Sequence, residues 1–139
     1  MGGWEEIDHT ADYALRVWGS DLRDLLENGA RGFLELVLGP ERPAAERWEE
    51  YEVTAEEAAL LLPRTVRELL YRLDSGELPV EVAVTAATEQ PARALVRVGL
   101  TRRPDPWQYV LRAVKAVTYH DVDLRRDEQG LSAVLTLDT

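Results

Sequence analysis

The stretch YALRVWGSDLRDLLENGARGFLELVLGP, residues 13–40, decides the fold. Its first part alternates: Tyr13, Leu15 and Val17 fall on one side, Ala14, Arg16 and Trp18 on the other. A period of two argues for a strand. Gly19 breaks the pattern and Ser20 is placed to cap a helix. From there Leu22, Leu25, Leu26, Ala30, Phe33, Leu36 and Val37 recur at intervals of three and four, the stripe of a helix with one buried face. Gly39-Pro40 terminates it. A strand feeding a helix that must cover apolar surface sets the expectation of a layered α and β fold.

Outward from that stretch, PERPAAE (40–46) is a loop, and Trp48, Tyr51 and Val53 predict a short strand with imperfect alternation. Thr54 and Glu57 have capping-box spacing, so a second helix is expected from there to about Leu73, kinked or divided at Pro63. Leu60, Leu61, Val66, Leu69, Leu70 and Leu73 supply its buried face. Asp74-Ser75-Gly76 is a turn. LPVEVAVTA (78–86) and ARALVRVGL (92–100) flank a turn at Gln90-Pro91, as a hairpin would. After a Pro-broken loop, VLRAVKAVTYHDVDLRR (110–126) and LSAVLTLD (131–138) are rich in β-formers. Two helices and about six strands give an α+β domain over residues 1–139, with one mostly antiparallel or mixed sheet whose strand order stays open.

At 139 residues the chain can bury a core without disulfides, and it has no cysteine. Thiolate metal sites and thiol nucleophiles are thereby excluded. No apolar run is long enough for a membrane span, and the acidic start lacks the order of a signal peptide, so a cytoplasmic location is expected. Sixteen basic against 26 acidic residues give a net charge of −10. Such a surface repels polyanions, so tight direct binding of nucleic acid is not expected. Arg93, Arg97, Arg102 and Arg103 could form a local basic strip, but a solvated strand face accounts for them. Lys115 is the only lysine.

Phosphate-cradling loops, HExxH and GxSxG are all missing, and two histidines cannot build a three-histidine zinc site. What remains is carboxylate. DHTAD (8–12) packs Asp8, His9, Thr10 and Asp12 just before the first strand, and the chain closes on Asp138 and Thr139 with its α-carboxylate. Hard cations take oxygen ligands, six to eight in the case of calcium, and calcium, magnesium and manganese suit such donors alike. Leu131, Ala133, Leu135 and Leu137 share one strand face, so Asp138 points off it or leaves the strand. Spacing alone leaves turn formation open for Asp8 and Asp12, and a hydrogen-bonded structural role open for His9. In AVKAVTYHD, Lys115 and His120 either project toward an anionic partner or metal site, or belong to a central strand whose lysine reaches water. Trp4, Trp18, Trp48 and Trp107 read as core or half-buried, and of these Trp107, on a Pro-flanked loop, is the best candidate for an exposed docking aromatic.

IDHTAD, a strand ending in WG, SDLRDLLENGARGF, RELLYRLD, VKAVTYHDV and a terminal LDT, in that order over nearly the whole chain, resemble the archease family. The resemblance implies strand–helix–strand–strand modules nested in one another. It also implies an activator, not an enzyme, whose partner is the RtcB-type RNA ligase of tRNA splicing and RNA repair. Archeases promote guanylylation of that ligase, the charging of a ligase histidine with GMP, and its multiple turnover. Carried over residue by residue, the family's metal-binding positions match Asp12 and Asp138, with Thr139 contributing through its backbone or terminal carboxylate, and its lysine matches Lys115. Asp8, His9 and His120 belong to the same motifs. Calcium is the implied cation, with magnesium or manganese as cellular substitutes. The chain departs from the family at Thr65-Val66, where a tryptophan often stands, and in VGLTRRPDPWQY, which replaces a Gly-Glu and histidine ahead of the VKA strand. Two other readings are a chaperone-like modulator of RNA-modifying enzymes and a stand-alone metal-dependent hydrolase using the same carboxylates.

Overall fold

The computed structural model describes residues 2–7, 12–119 and 122–139. The deciding stretch forms as expected: strand β2 (Tyr13–Gly19) precedes helix α1 (Leu22–Leu38). The helix is capped by Asp21, not by Ser20. The Asp21 side chain accepts from the Asp24 N–H at 2.8 Å, while Ser20 donates its own N–H back to Asp24 at 2.9 Å. Gly39 ends it at φ 83°, a left-handed conformation that glycine adopts without strain.

Ahead of β2 runs a strand the alternation did not announce, β1 (Gly3–Ile7), paired antiparallel with it. After α1 come β3 (Arg47–Ala55), α2 (Leu61–Asp74), β4 (Glu77–Glu89), β5 (Ala92–Arg102), β6 (Ala116–Val117), β7 (Arg125–Asp127) and β8 (Gly130–Asp138). Among the described residues the fold is α+β with two α-helices, and every strand pairing is antiparallel. The strands divide into two sheets where one was expected. One has the order β1-β2-β8-β6 with β7 also on β8, and the other β3-β5-β4. Helix α1 packs against β2 of the first sheet and β4 of the second, and α2 against β3, β4, β5 and β6. The helices are thus shared by both sheets, and their stripes meet the inward faces around fully buried Phe33, Leu26, Leu69, Leu100 and Leu135. Burying each such side chain stabilises the fold by about 1.5–3 kcal/mol relative to exposure.

Three expectations are corrected. Thr54 and Glu57 do not form a capping box, because pairing with β5 runs through Thr54 and Ala55 and claims their backbone. Helix α2 starts only at Leu61, behind a 3-10 turn at Ala58–Leu60 without a side-chain cap. Pro63 then falls in the first turn of α2, where an N–H has no partner to lose, so it neither kinks nor divides the helix. Finally, the described residues of 110–126 contribute only two short strands. Their apolar anchors Val114 and Val117 are buried three residues apart, a spacing that a continuous strand cannot place on one face.

Candidate functional site: the open end of the five-stranded sheet

Strand β8 alternates as its sequence requires. Leu131, Ala133, Leu135 and Leu137 are buried, and Asp138 is exposed. Its register with β2 places Tyr13 opposite Leu137. The half-buried Asp12 lies in the bend just before Tyr13, and Asp138 directly follows Leu137, so both adjoin this last pair of the ladder. On the other side of β8, Ala116 pairs with Asp138 and Val117 with Leu137. The Lys115 N–H donates to the Asp138 carbonyl at 2.8 Å, and the Thr118 N–H to the Thr136 carbonyl at 3.0 Å. These bonds pin the strand at the end where a terminus would otherwise fray. The Thr118 hydroxyl donates to Asp138 Oδ1 at 3.0 Å and fixes the orientation of that carboxylate.

Topology therefore brings together Asp12, Asp138, Thr139 and the exposed Lys115 at one end of a sheet. Asp8, His9 and His120 lie outside the described residues. Among the described residues no group of three or more His, Cys, Asp or Glu side chains converges. The donors present are all oxygen: two carboxylates, the Thr118 hydroxyl and the backbone oxygen of Thr139. That chemistry fits a hard cation.

Sequence reasoning missed three neighbours. Thr118 lies inside the quoted KAVTYH motif, and its donation to Asp138 follows from a pairing that sequence does not give. Arg112 ties its loop to β1 through a fork onto both carboxylate oxygens of Glu6 at 2.7 Å, and it lies 5.5 Å from the ring centroid of Tyr13. Those hydrogen bonds push its already high pKa further up. Next to Thr118, the Tyr119 hydroxyl lies 3.4 Å from Arg67 of α2, and the Arg64 guanidinium lies 6.0 Å from the ring centroid. No periodicity links residues so far apart in the chain.

Arginines of the possible basic strip have partners of their own. Arg93 is ion-paired with Glu52, Arg97 lies 5.0 Å from the ring centroid of Trp48, and Arg103 donates to Thr101. Trp107 stands in a 3-10 turn at Pro106–Tyr109 and is 39% exposed, as its loop suggested, but Trp18 and Trp48 are exposed to the same degree. Among the described residues no helix is long and apolar enough to cross a membrane.

The profile of the archease protein family matches residues 4–139. The chain belongs to the archease family. It is 32% identical over 135 residues to protein archease of Archaeoglobus fulgidus, covering 95% of this chain and 96% of the relative. It is 33% identical over 129 residues to protein archease of Methanopyrus kandleri, covering 90% and 91%. The solution structure of a Methanobacterium thermoautotrophicum protein superposes with a TM-score of 0.78 at 25% identity, over 99% of both chains. The crystal structure of a Thermotoga maritima archease, described as a possible chaperone, has the same fold, with a TM-score of 0.62 at 22% identity over 97% and 96%. The family resemblance read from DHTAD, KAVTYH and LDT is thereby established.

Proposed function

We propose that this archease is a metal-dependent activator of an RtcB-type RNA ligase, promoting guanylylation of the ligase and its multiple turnover. Family membership supports the class of role. The observation that supports the site is the β2–β8–β6 register, whose last β2–β8 pair, Tyr13 with Leu137, adjoins both Asp12 and Asp138, and whose β6 partner of Asp138 is Ala116, next to Lys115. Asp12, Asp138 and the Thr139 carboxylate would hold a calcium-type cation, with magnesium or manganese as substitutes. When bound, that cation supplies positive charge for phosphate oxygens. Lys115, exposed on a pinned backbone, adds a second positive charge for a phosphate or a ligase carboxylate. The net charge of −10 suits docking on a basic, RNA-handling enzyme and disfavours docking on RNA itself.

The test is multiple-turnover ligation by the purified host ligase, with Asp12→Ala and Asp138→Ala variants whose thermal melts match wild type. Both should lose the stimulation, and calcium titration should show affinity lowered by at least about tenfold. Wild-type stimulation by the two folded variants would rule out the acidic site. The description of the Thermotoga relative as a possible chaperone supports a broader modulator as second reading. Co-purification from the native host separates the two, since many unrelated clients in place of one ligase would favour the chaperone.

A further inference from the structure

Beyond the oxygen donors of the acidic end, the molecule carries an apolar surface that its own fold does not cover. Leu111 is 71% exposed, more than any other large hydrophobic side chain described, and Trp107 and Tyr109 are exposed nearby at 39% and 37%. Two grooves of about 420 and 410 Å³ meet at Leu111, Gly39 and Pro40. Pro43 and Tyr109 line the first, and Trp4 and Leu36 the second. Leu111 does not dangle between them. Its N–H donates to the Val37 carbonyl at 2.7 Å, using an acceptor at the end of α1 that has no partner within the helix. The apolar ridge is therefore held in place before any partner arrives, which lowers the ordering cost of binding.

The rim says what chemistry would cover it. Glu5, Glu6, Glu35, Glu41, Arg42 and Arg112 supply its charge. Both arginines are engaged within the fold, Arg42 by the Val80 and Gly39 carbonyls and Arg112 by Glu6. Glu35 and Glu41 are exposed and form no ion pair among the described residues. A second copy of this chain would bring the same excess of carboxylates, and nucleic acid or an anionic lipid surface would bring phosphates. All three are repelled, whereas a basic protein segment is attracted.

We propose that the ridge at Leu111, with its two flanking grooves, docks a basic segment of the activated ligase that carries one or two large aliphatic or aromatic side chains. This rests on the ligase-activator reading, and it assigns affinity to side chains other than the Asp12 and Asp138 oxygen donors. Side chains in such grooves contribute the bulk of binding energy, while the rim carboxylates set the encounter rate and its salt dependence.

The experiment measures binding of the purified host ligase, and the archease concentration giving half-maximal stimulation, for wild type, Leu111→Asp, Leu111→Met and Glu35→Gln/Glu41→Gln. Because Leu111 is exposed, the aspartate leaves the core intact, which a thermal melt verifies. Leu111→Asp should raise the half-maximal concentration about tenfold or more with the maximal stimulation unchanged, and Leu111→Met should stay near wild type. The double glutamine variant should bind more weakly at low salt and lose part of the salt dependence. Binding by Leu111→Asp equal to wild type, or a loss confined to maximal stimulation, overturns the docking ridge and leaves the activator reading standing. A wild-type protein that neither binds nor stimulates the ligase overturns the activator reading and the assigned occupant together. Self-association that weakens in Leu111→Asp overturns the basic occupant in favour of a second copy.

Discussion

The β4–β5 hairpin and the β2–β8–β6 end of the other sheet are built by opposite means. The hairpin joins strands of 13 and 11 residues that follow each other in sequence across Gln90-Pro91, and its buried positions on β5 alternate for most of its length. The other end joins the first and last parts of the chain, and its outer strand β6 has only two residues. Local periodicity suffices for the first. The second exists because a register between distant strands is fixed, and a slip of one residue would turn Leu137 outward and Asp138 inward. Scaffold and site therefore respond differently to perturbation.

The largest effect should come where the two regions share material. Phe33 is fully buried on α1, the helix that touches β2 of one sheet and β4 of the other. Phe33→Ala should cost about 3–5 kcal/mol by urea denaturation. Fluorescence and far-UV circular dichroism should follow one transition, because both sheets lose the same support. Two separated transitions would break the comparison, by making each sheet an independent unit that a shared helix does not couple.

A smaller and one-sided effect is expected at Gly130, which opens β8 at φ 137°, a left-handed conformation that only glycine adopts readily. A Cβ there would come within 2.2 Å of the Gly19 carbonyl oxygen at the end of β2. Gly130→Ala should therefore destabilise by about 1–3 kcal/mol. Hydrogen exchange should quicken in β7 and β8 and leave the β4–β5 hairpin near its wild-type protection. Equal acceleration in both regions would remove the distinction between them.

What sequence made legible follows the same division. The strand and helix in 13–40, the hairpin turn at Gln90-Pro91 and the alternation of 131–137 rest on contacts within a few residues, and periodicity reports such contacts. Strand β1 escaped notice because GWEEI (3–7) has no apolar alternation, its pairing with β2 being all that makes it a strand. The capping-box reading failed at Thr54 because a strand partner forty residues away outcompeted a local cap. Asp12 and Asp138 could be singled out as oxygen donors, and the family motifs joined them. Their shared position beside the Tyr13–Leu137 pair, and the Thr118 hydroxyl on Asp138, are properties of topology. Leu111 carried no signal, since an apolar residue in a loop reads as an anchor until its exposure is known.

The smallest effect, and the one that sharpens the contrast most cleanly, concerns Glu46 at the margin of the three-stranded sheet. Its N–H donates to the Leu100 carbonyl at 2.9 Å, and its Oε1 accepts from the Thr101 hydroxyl at 2.5 Å and the Arg102 N–H at 3.2 Å. Those hydrogen bonds, the Thr101 hydroxyl foremost, with help from the Arg103 charge, hold its pKa below the ordinary 4.5. A carboxyl depressed on folding adds stability that is present above the unfolded value and is lost as pH falls through the folded one. Glu46→Gln keeps an acceptor and deletes the charge, so it should melt slightly below wild type at pH 7, with the gap closing in acid below about 4.5. Thermal melts at matched ionic strength across that range measure it. A gap of the same size at neutral and acid pH would mean that the negative charge does not fasten this strand. The sheet built from local contacts would then owe its margin to packing alone.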